Sequence, residues 1–133
     1  MKGRVAIIAD THGSVTAWRK ACAVWGYVDA IFHVGDVLYH GPRNPMPDGY
    51  DPKALAEEIN ASPVPVFLVR GNCDAPIDEA LLKWPVSASL LVSWWNERLL
   101  LFSHGEDQEA FKEKAIFCGA AAAISGHTHL ASI

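Results

Sequence analysis

The sequence predicts an α/β layered fold, in which strands alternate with helices before a closing hairpin begins a second sheet. Three observations carry this. Apolar runs of strand length alternate with amphipathic stretches along the N-terminal part of the chain. Two strand-like runs then flank Trp95-Asn96-Glu97, the pattern of a hairpin. Finally, five strand endings carry Asp, His or Asn, most beside a glycine, where open α/β sheets gather their ligands.

In chain order, residues 4–9 form the first strand, and Ser14 caps a helix that reaches Trp25 with Ala17, Ala21 and Val24 on one face. Residues 30–34 are the second strand. The polar loop from His40 to Tyr50 contains Pro42, Pro45 and Pro47, which forbid regular structure. Asp51 caps the next helix, with Pro52 at its first position, and the helix runs to about Ala61. Residues 64–69 are the third strand and 75–82 a short helix. Residues 87–94 and 98–102 form the hairpin, in which adjacent Trp94 and Trp95 must face opposite sides. A helix over 108–117 and an apolar run over 120–125 complete the pattern.

At 133 residues the chain is read as one domain, 1–133. A net charge of −4 argues against a broad nucleic-acid surface, so the expected partner is a small molecule. No apolar stretch is long enough to span a membrane. The N-terminus enters a strand directly, so no signal peptide is expected. Cys22, Cys73 and Cys118 are odd in number and lack CxxC spacing, so the expected location is the cytoplasm. Homo-oligomerisation stays open.

The polar endings are Asp10-Thr11-His12, Gly35-Asp36, Gly71-Asn72-Cys73-Asp74, His104-Gly105 and Gly126-His127-Thr128-His129. Asp10 and His12, two apart at a strand end, are expected on one face. Asp36 has two oxygens and can bridge two ions, Asn72 offers a neutral carbonyl, and His104, His127 and His129 offer imidazoles. Carboxylate mixed with imidazole suits Mn²⁺, Fe, Zn²⁺ or Ni²⁺. Two divalent cations set against two carboxylates leave a positive centre in an acidic protein, one that attracts a phosphate ester. Paired metals roughly 3.5–4 Å apart generate hydroxide near neutral pH and stabilise both the attacking and leaving oxygens.

Taken in order, these motifs resemble the calcineurin-like metallophosphoesterase superfamily, and Gly35 to Asn44 with Gly71 to Asp74 resembles its bacterial YfcE-type phosphodiesterases. The resemblance implies an αββα sandwich of two mixed sheets and hydrolysis of small phosphodiesters by a metal-bound hydroxide. It assigns Asp10, His12, Asp36 and His129 to one metal, and Asp36, Asn72, His104 and His127 to the other. Mn²⁺ is the expected pair. Asn72, Cys73, Asp74 and His104 are the candidate catalytic residues, with Asn72 also touching the phosphate and Asp74 supporting the site by hydrogen bonding. Many relatives carry His where Cys73 stands; a thiol there, held as thiolate by nearby cations, is a poor proton donor. Relatives continue past the Gly-His-x-His motif, whereas Leu130 to Ile133 alone follow it here, implying a shortened C-terminal part.

The loop after Asp36 supplies candidate substrate contacts in His40, Arg43 and Asn44. His33 is read as a buried, hydrogen-bonded core residue. Cys22 and Cys118 are read as core, Trp18, Trp25 and Trp84 as packing, and the charged stretch 106–114 as a solvated helix face. A scaffold that has lost catalysis and a nuclease are the competing functions. The first predicts eroded ligand positions and the second a basic groove, and the sequence displays neither.

Overall fold

A computed structural model describes residues 2–133. The elements run β1 (Val5–Ile8), α1 (Val15–Trp25), β2 (Ala30–His33), α2 (Pro52–Asn60), β3 (Val66–Val69), α3 (Pro76–Leu81) and β4 (Val86–Ser87). They continue β5 (Leu91–Trp95), β6 (Arg98–Ser103), α4 (Gln108–Phe117) and β7 (Ala122–Ser125).

Strands β1 to β4 pair in sequence order, all parallel. Each parallel pair needs a crossover, and right-handed crossovers that always step the same way leave their helices on one face. Val15 and Trp18 of α1 and Leu55, Ala56 and Ile59 of α2 accordingly pack with Ala6, Ile31, Val66 and Leu68. The other face is free for the second sheet, ordered β5-β6-β7, with β5 antiparallel and β7 parallel to β6. Between the sheets, Phe32 stacks on Phe67 and Phe102 at centroid distances of 4.9 and 4.3 Å, with Trp95 edge-on at 6.4 Å. Phe111 and Ala115 of α4 cover Leu101 on the far side. The layers are therefore α, β, β, α. Where two mixed sheets were expected, the first is wholly parallel, because each of its connections is a crossover.

Ser14 and Asp51 cap α1 and α2, each accepting a backbone N–H at 3.0 Å. The third strand starts at Val66, two residues later than expected. Pro65 brings no N–H to the ladder, although its carbonyl accepts from Ile31 at 3.0 Å. The run over 87–94 is not one strand. Val86 and Ser87 pair with Leu68 and Val69 in the first sheet, and the chain then crosses to the second, where Leu91 begins β5. The hairpin turn is also tighter: Trp95 pairs with Arg98, and Asn96 and Glu97 alone turn the chain, both with positive φ of 49° and 63°. Trp95 is 4% and Trp94 59% exposed, as alternation demands.

Two packing expectations are corrected. The inner face of α1 is Val15, Trp18, Cys22 and Trp25, spaced three and four apart, while Val24 is 88% exposed. The two large indoles decide which stripe turns inward. Cys118 is exposed, because α4 ends there and the chain turns at Gly119. Among the described residues no helix is long and apolar enough to cross a membrane.

Candidate metal centre

All five polar strand endings meet at one edge of the sandwich. Asp10 and His12 follow β1, Asp36 follows β2, Asn72 follows β3, His104 follows β6, and His127 and His129 follow β7. The backbone there is unusual. The described non-glycine residues with positive φ are Asp10 (57°), His12 (47°), Asp36 (56°), His127 (76°), His129 (57°) and the hairpin pair Asn96 and Glu97. A left-handed conformation costs a non-glycine residue of order 1–3 kcal/mol, and such strain gathers at functional sites. Asp10 and His12 therefore converge through a turn beyond β1 rather than by strand alternation.

Each carboxylate turns one oxygen to a backbone N–H and the other to the histidines. Asp10 Oδ2 accepts from the His127 backbone N–H at 2.9 Å, and Asp36 Oδ1 from that of Cys73 at 2.8 Å. Asp10 Oδ1 is buried without a hydrogen-bond partner and faces His129 Nε2 at 3.4 Å, His12 Nε2 at 3.6 Å and His104 Nε2 at 3.8 Å. Asp36 Oδ2 lies 3.1 Å from His104 Nε2 and 3.6 Å from His12 Nε2, so it faces both histidine groups.

The imidazoles are oriented by the backbone behind them. His12 Nδ1–H donates to the Tyr39 carbonyl at 2.9 Å, and His104 Nδ1–H to that of Val34 at 2.8 Å. In each neutral ring the Nε2 lone pair therefore points at the carboxylates, since the backbone carbonyl behind it fixes the tautomer, as it does for metal-binding histidines. His127 Nδ1 lies 3.0 Å from Asn72 Oδ1 and 3.2 Å from His104 Nε2, while His12 and His129 bring their Nε2 atoms within 3.2 Å. Lone pairs converging on anionic oxygens, one of them orphaned, call for cations between them. Three groups have donor atoms mutually within 4.8 Å: Asp10, His12 and His129; Asp36, His104 and His127; and His12, Asp36 and Cys73. The first two groups share no residue, and Asp36 of the second also faces His12 of the first at 3.6 Å. This donor set fits divalent ions.

Supporting groups hold the ligand loops in register. Asp74 accepts three backbone N–H groups, from Gly71 at 2.7 Å and from Asp36 and Val37 at 2.8 Å, clamping the β3 ending onto the β2 ending. Glycine is required where these loops touch: a Cβ on Gly71 would overlap the Asp36 carboxylate, and one on Gly35 would stand 2.5 Å from His104 Nδ1. Thr11, between the two β1 ligands, donates to the Val37 carbonyl at 2.8 Å and accepts from His33 Nε2 at 2.9 Å. His33 is fully buried, as expected, and Thr11 is the residue the sequence reading passed over. A hydroxyl between two ligands and a histidine on the neighbouring strand were the available signal. The carbonyls of Tyr39 and Val34 left none, since any residue type supplies them.

Burial opposes charge on Asp36 and His104, but their mutual hydrogen bond prevails, holding Asp36 below the usual carboxylate range and pushing His104 up to about 9. Burial raises the Asp74 carboxyl against the pull of its three amides. Burial, then Asp36, Asp74 and Asp10, pushes the Cys73 thiol up to about 11. The chain's own carboxylates thus act on Cys73 oppositely to the cations that were expected to favour its thiolate.

A cleft of about 540 Å³ opens over the centre, lined by Asp36, Asn72, Cys73, His127 and His129 on its floor and by Arg43 and Asn44 from the loop. Arg43 forms no ion pair among the described residues, leaving its guanidinium free to meet an anion. His40 does not line this cleft. Its ring packs edge-on to Tyr39 and Tyr50 at 4.8 and 5.2 Å, and its carbonyl accepts from Asn44 Nδ2 at 2.9 Å. It shapes the loop that presents Asn44.

Comparison with known proteins agrees with this architecture. The family profile of the calcineurin-like phosphoesterase superfamily domain matches residues 4–133. Phosphodiesterase YfcE of Escherichia coli K12 is 35% identical over 129 residues, covering 92% of this chain and 67% of that protein. A solved structure of E. coli YfcE, described as a phosphoesterase, superposes with a TM-score of 0.71 at 35% identity, over 77% of this chain and 58% of that one. An archaeal phosphodiesterase shares the fold at 19% identity, with a TM-score of 0.73 over 97% of this chain and 75% of its own. The resemblance read from the motifs holds: the chain belongs to the calcineurin-like phosphoesterase superfamily.

Proposed function

We propose that this protein is a metal-dependent phosphodiesterase that hydrolyses small phosphodiesters at a centre of two divalent cations, Mn²⁺ foremost. Asp10, His12, Asp36 and His129 would hold one ion, and Asp36, Asn72, His104 and His127 the other. The observation that carries the reading is the pair Asp10 Oδ1 and Asp36 Oδ2, each facing histidine Nε2 atoms at 3.1–3.8 Å. When bound, such a pair supplies Lewis acidity and a water acidic enough to act as a nucleophile near neutral pH.

The chain's own residues then divide the remaining work. Tyr39 and Val34 keep His12 and His104 in the ligating tautomer. Asp74 fixes Asn72 and Cys73 relative to Asp36, so that the Asn72 amide meets the phosphate in a set orientation. Arg43 and Asn44 approach the same cleft from the loop, where a guanidinium can clamp a phosphate oxygen. The relatives named as phosphodiesterases support the phosphodiesterase reading. The test is turnover of aryl phosphodiesters, cyclic nucleotides, phosphomonoesters and single-stranded DNA, each with and without Mn²⁺. Diester hydrolysis that requires the metal is the expected result. Turnover confined to monoesters or DNA, or none with any metal, would overturn the reading.

A further inference from the structure

On the reading of these residues as a divalent-metal centre, we propose that Cys73 adds a third, thiophilic position, formed by His12 Nε2, Asp36 and Cys73 Sγ. A soft cation such as Cd²⁺ bound there excludes the catalytic pair. The three donor atoms lie mutually within 4.8 Å. His12 and Asp36 are 6% and 2% exposed, so the position has a dry, rigid wall. The His12 Nδ1–H is committed to the Tyr39 carbonyl, which leaves the Nε2 lone pair for a cation, 3.6 Å from Asp36 Oδ2. The sulfur is also held in place. Asn72 Nδ2 donates to Sγ at 3.6 Å, and Gly41 presses so closely that a Cβ there would stand 2.9 Å from it.

The donor types give this position its selectivity. Thiolate is a soft ligand that favours Cd²⁺, Zn²⁺ or Cu⁺, whereas carboxylate and carbonyl oxygens favour Mn²⁺ or Mg²⁺. A hard ion gains little from Cys73 and takes the positions built of oxygen and imidazole donors without sulfur. For a soft ion, the Cys73 S–H bond breaks, its proton leaves to solvent, and an S–metal bond forms. Because the third position uses His12 and Asp36, which the two sulfur-free positions also need, the two modes of occupancy are mutually exclusive. The chain would then be active with hard ions and blocked by thiophilic ones.

The probe is Cd²⁺ added to the full-length chain carrying Cys22→Ser and Cys118→Ser, so that Cys73 is the sole thiol. The readouts are ultraviolet sulfur-to-cadmium charge transfer and electron paramagnetic resonance of released Mn²⁺. A charge-transfer band that saturates at one Cd²⁺ per chain, is lost on adding Cys73→Ser, and accompanies Mn²⁺ release is the expected result. Should the background variant fold poorly, the difference between the parent chain and Cys73→Ser alone gives the same readout. Mn²⁺ binding with no Cys73-dependent band overturns this inference and leaves the metal-centre reading standing. Failure to bind either ion overturns both.

Discussion

Replacing His33 by glutamine should remove a large part of the pH dependence of stability. His33 is fully buried in β2, and its Nε2–H donates to Thr11. Burial, against an opposing pull from Asp36, pushes its pKa down from 6.5 to about 3. The folded protein therefore keeps this ring neutral where the unfolded chain protonates it. Since the folded pKa is the lower one, stability is intact above pH 6.5 and is lost as pH falls from 6.5 toward about 3. The slope in that window is about 1.4 kcal/mol per pH unit, so going from about pH 7.5 to about pH 5 should cost about 2 kcal/mol through this residue alone. Glutamine can keep the hydrogen bond to Thr11 but cannot take up a proton. Urea unfolding of both proteins, freed of metal, across that range isolates the contribution, because every other titrating group is common to the two. The variant should lose about 2 kcal/mol less than the parent. Parallel stability–pH curves would refute the reasoning.

Two further outcomes follow from the geometry of the centre. Gly71→Ala, whose Cβ would overlap the Asp36 carboxylate, should lower stability by about 1–3 kcal/mol and weaken Mn²⁺ binding. Calorimetry checks both, and unchanged values would show that the loop relaxes freely. Arg43→Ala should lower kcat/KM for phosphodiesters by about 10- to 100-fold, the loss of a charge-assisted hydrogen bond, with metal binding intact. Unchanged kinetics across several diesters would make the loop purely structural.

The strand endings were readable because each joins a strand-length apolar run to Asp, His or Asn beside glycine, and no packing role asks for that combination five times. The structure brings those residues to one edge of the sandwich. What escaped the sequence depends on contacts that side-chain patterns do not encode. Residues 87–94 contain no glycine, proline or charge to mark the point where the chain leaves one sheet for the other, so the run reads as one strand. The inner face of α1 follows Trp18 and Trp25, whose bulk outweighs the small apolar residues at 17 and 21. Tyr39 and Val34 orient two histidines through carbonyl groups, which carry no residue signature. The left-handed backbone of Asp10, His12, Asp36, His127 and His129 is equally silent in the sequence, since only for glycine is that conformation the expected one.

Calorimetric Mn²⁺ titration most directly tests whether the seven side chains from five strand ends hold two cations through a shared Asp36. The parent chain should bind two Mn²⁺, with Asp36→Asn weakening both sites together while circular dichroism shows the fold retained. A single ion bound by the folded parent, or an Asp36→Asn variant that loses one site and keeps the other at full affinity, would contradict it.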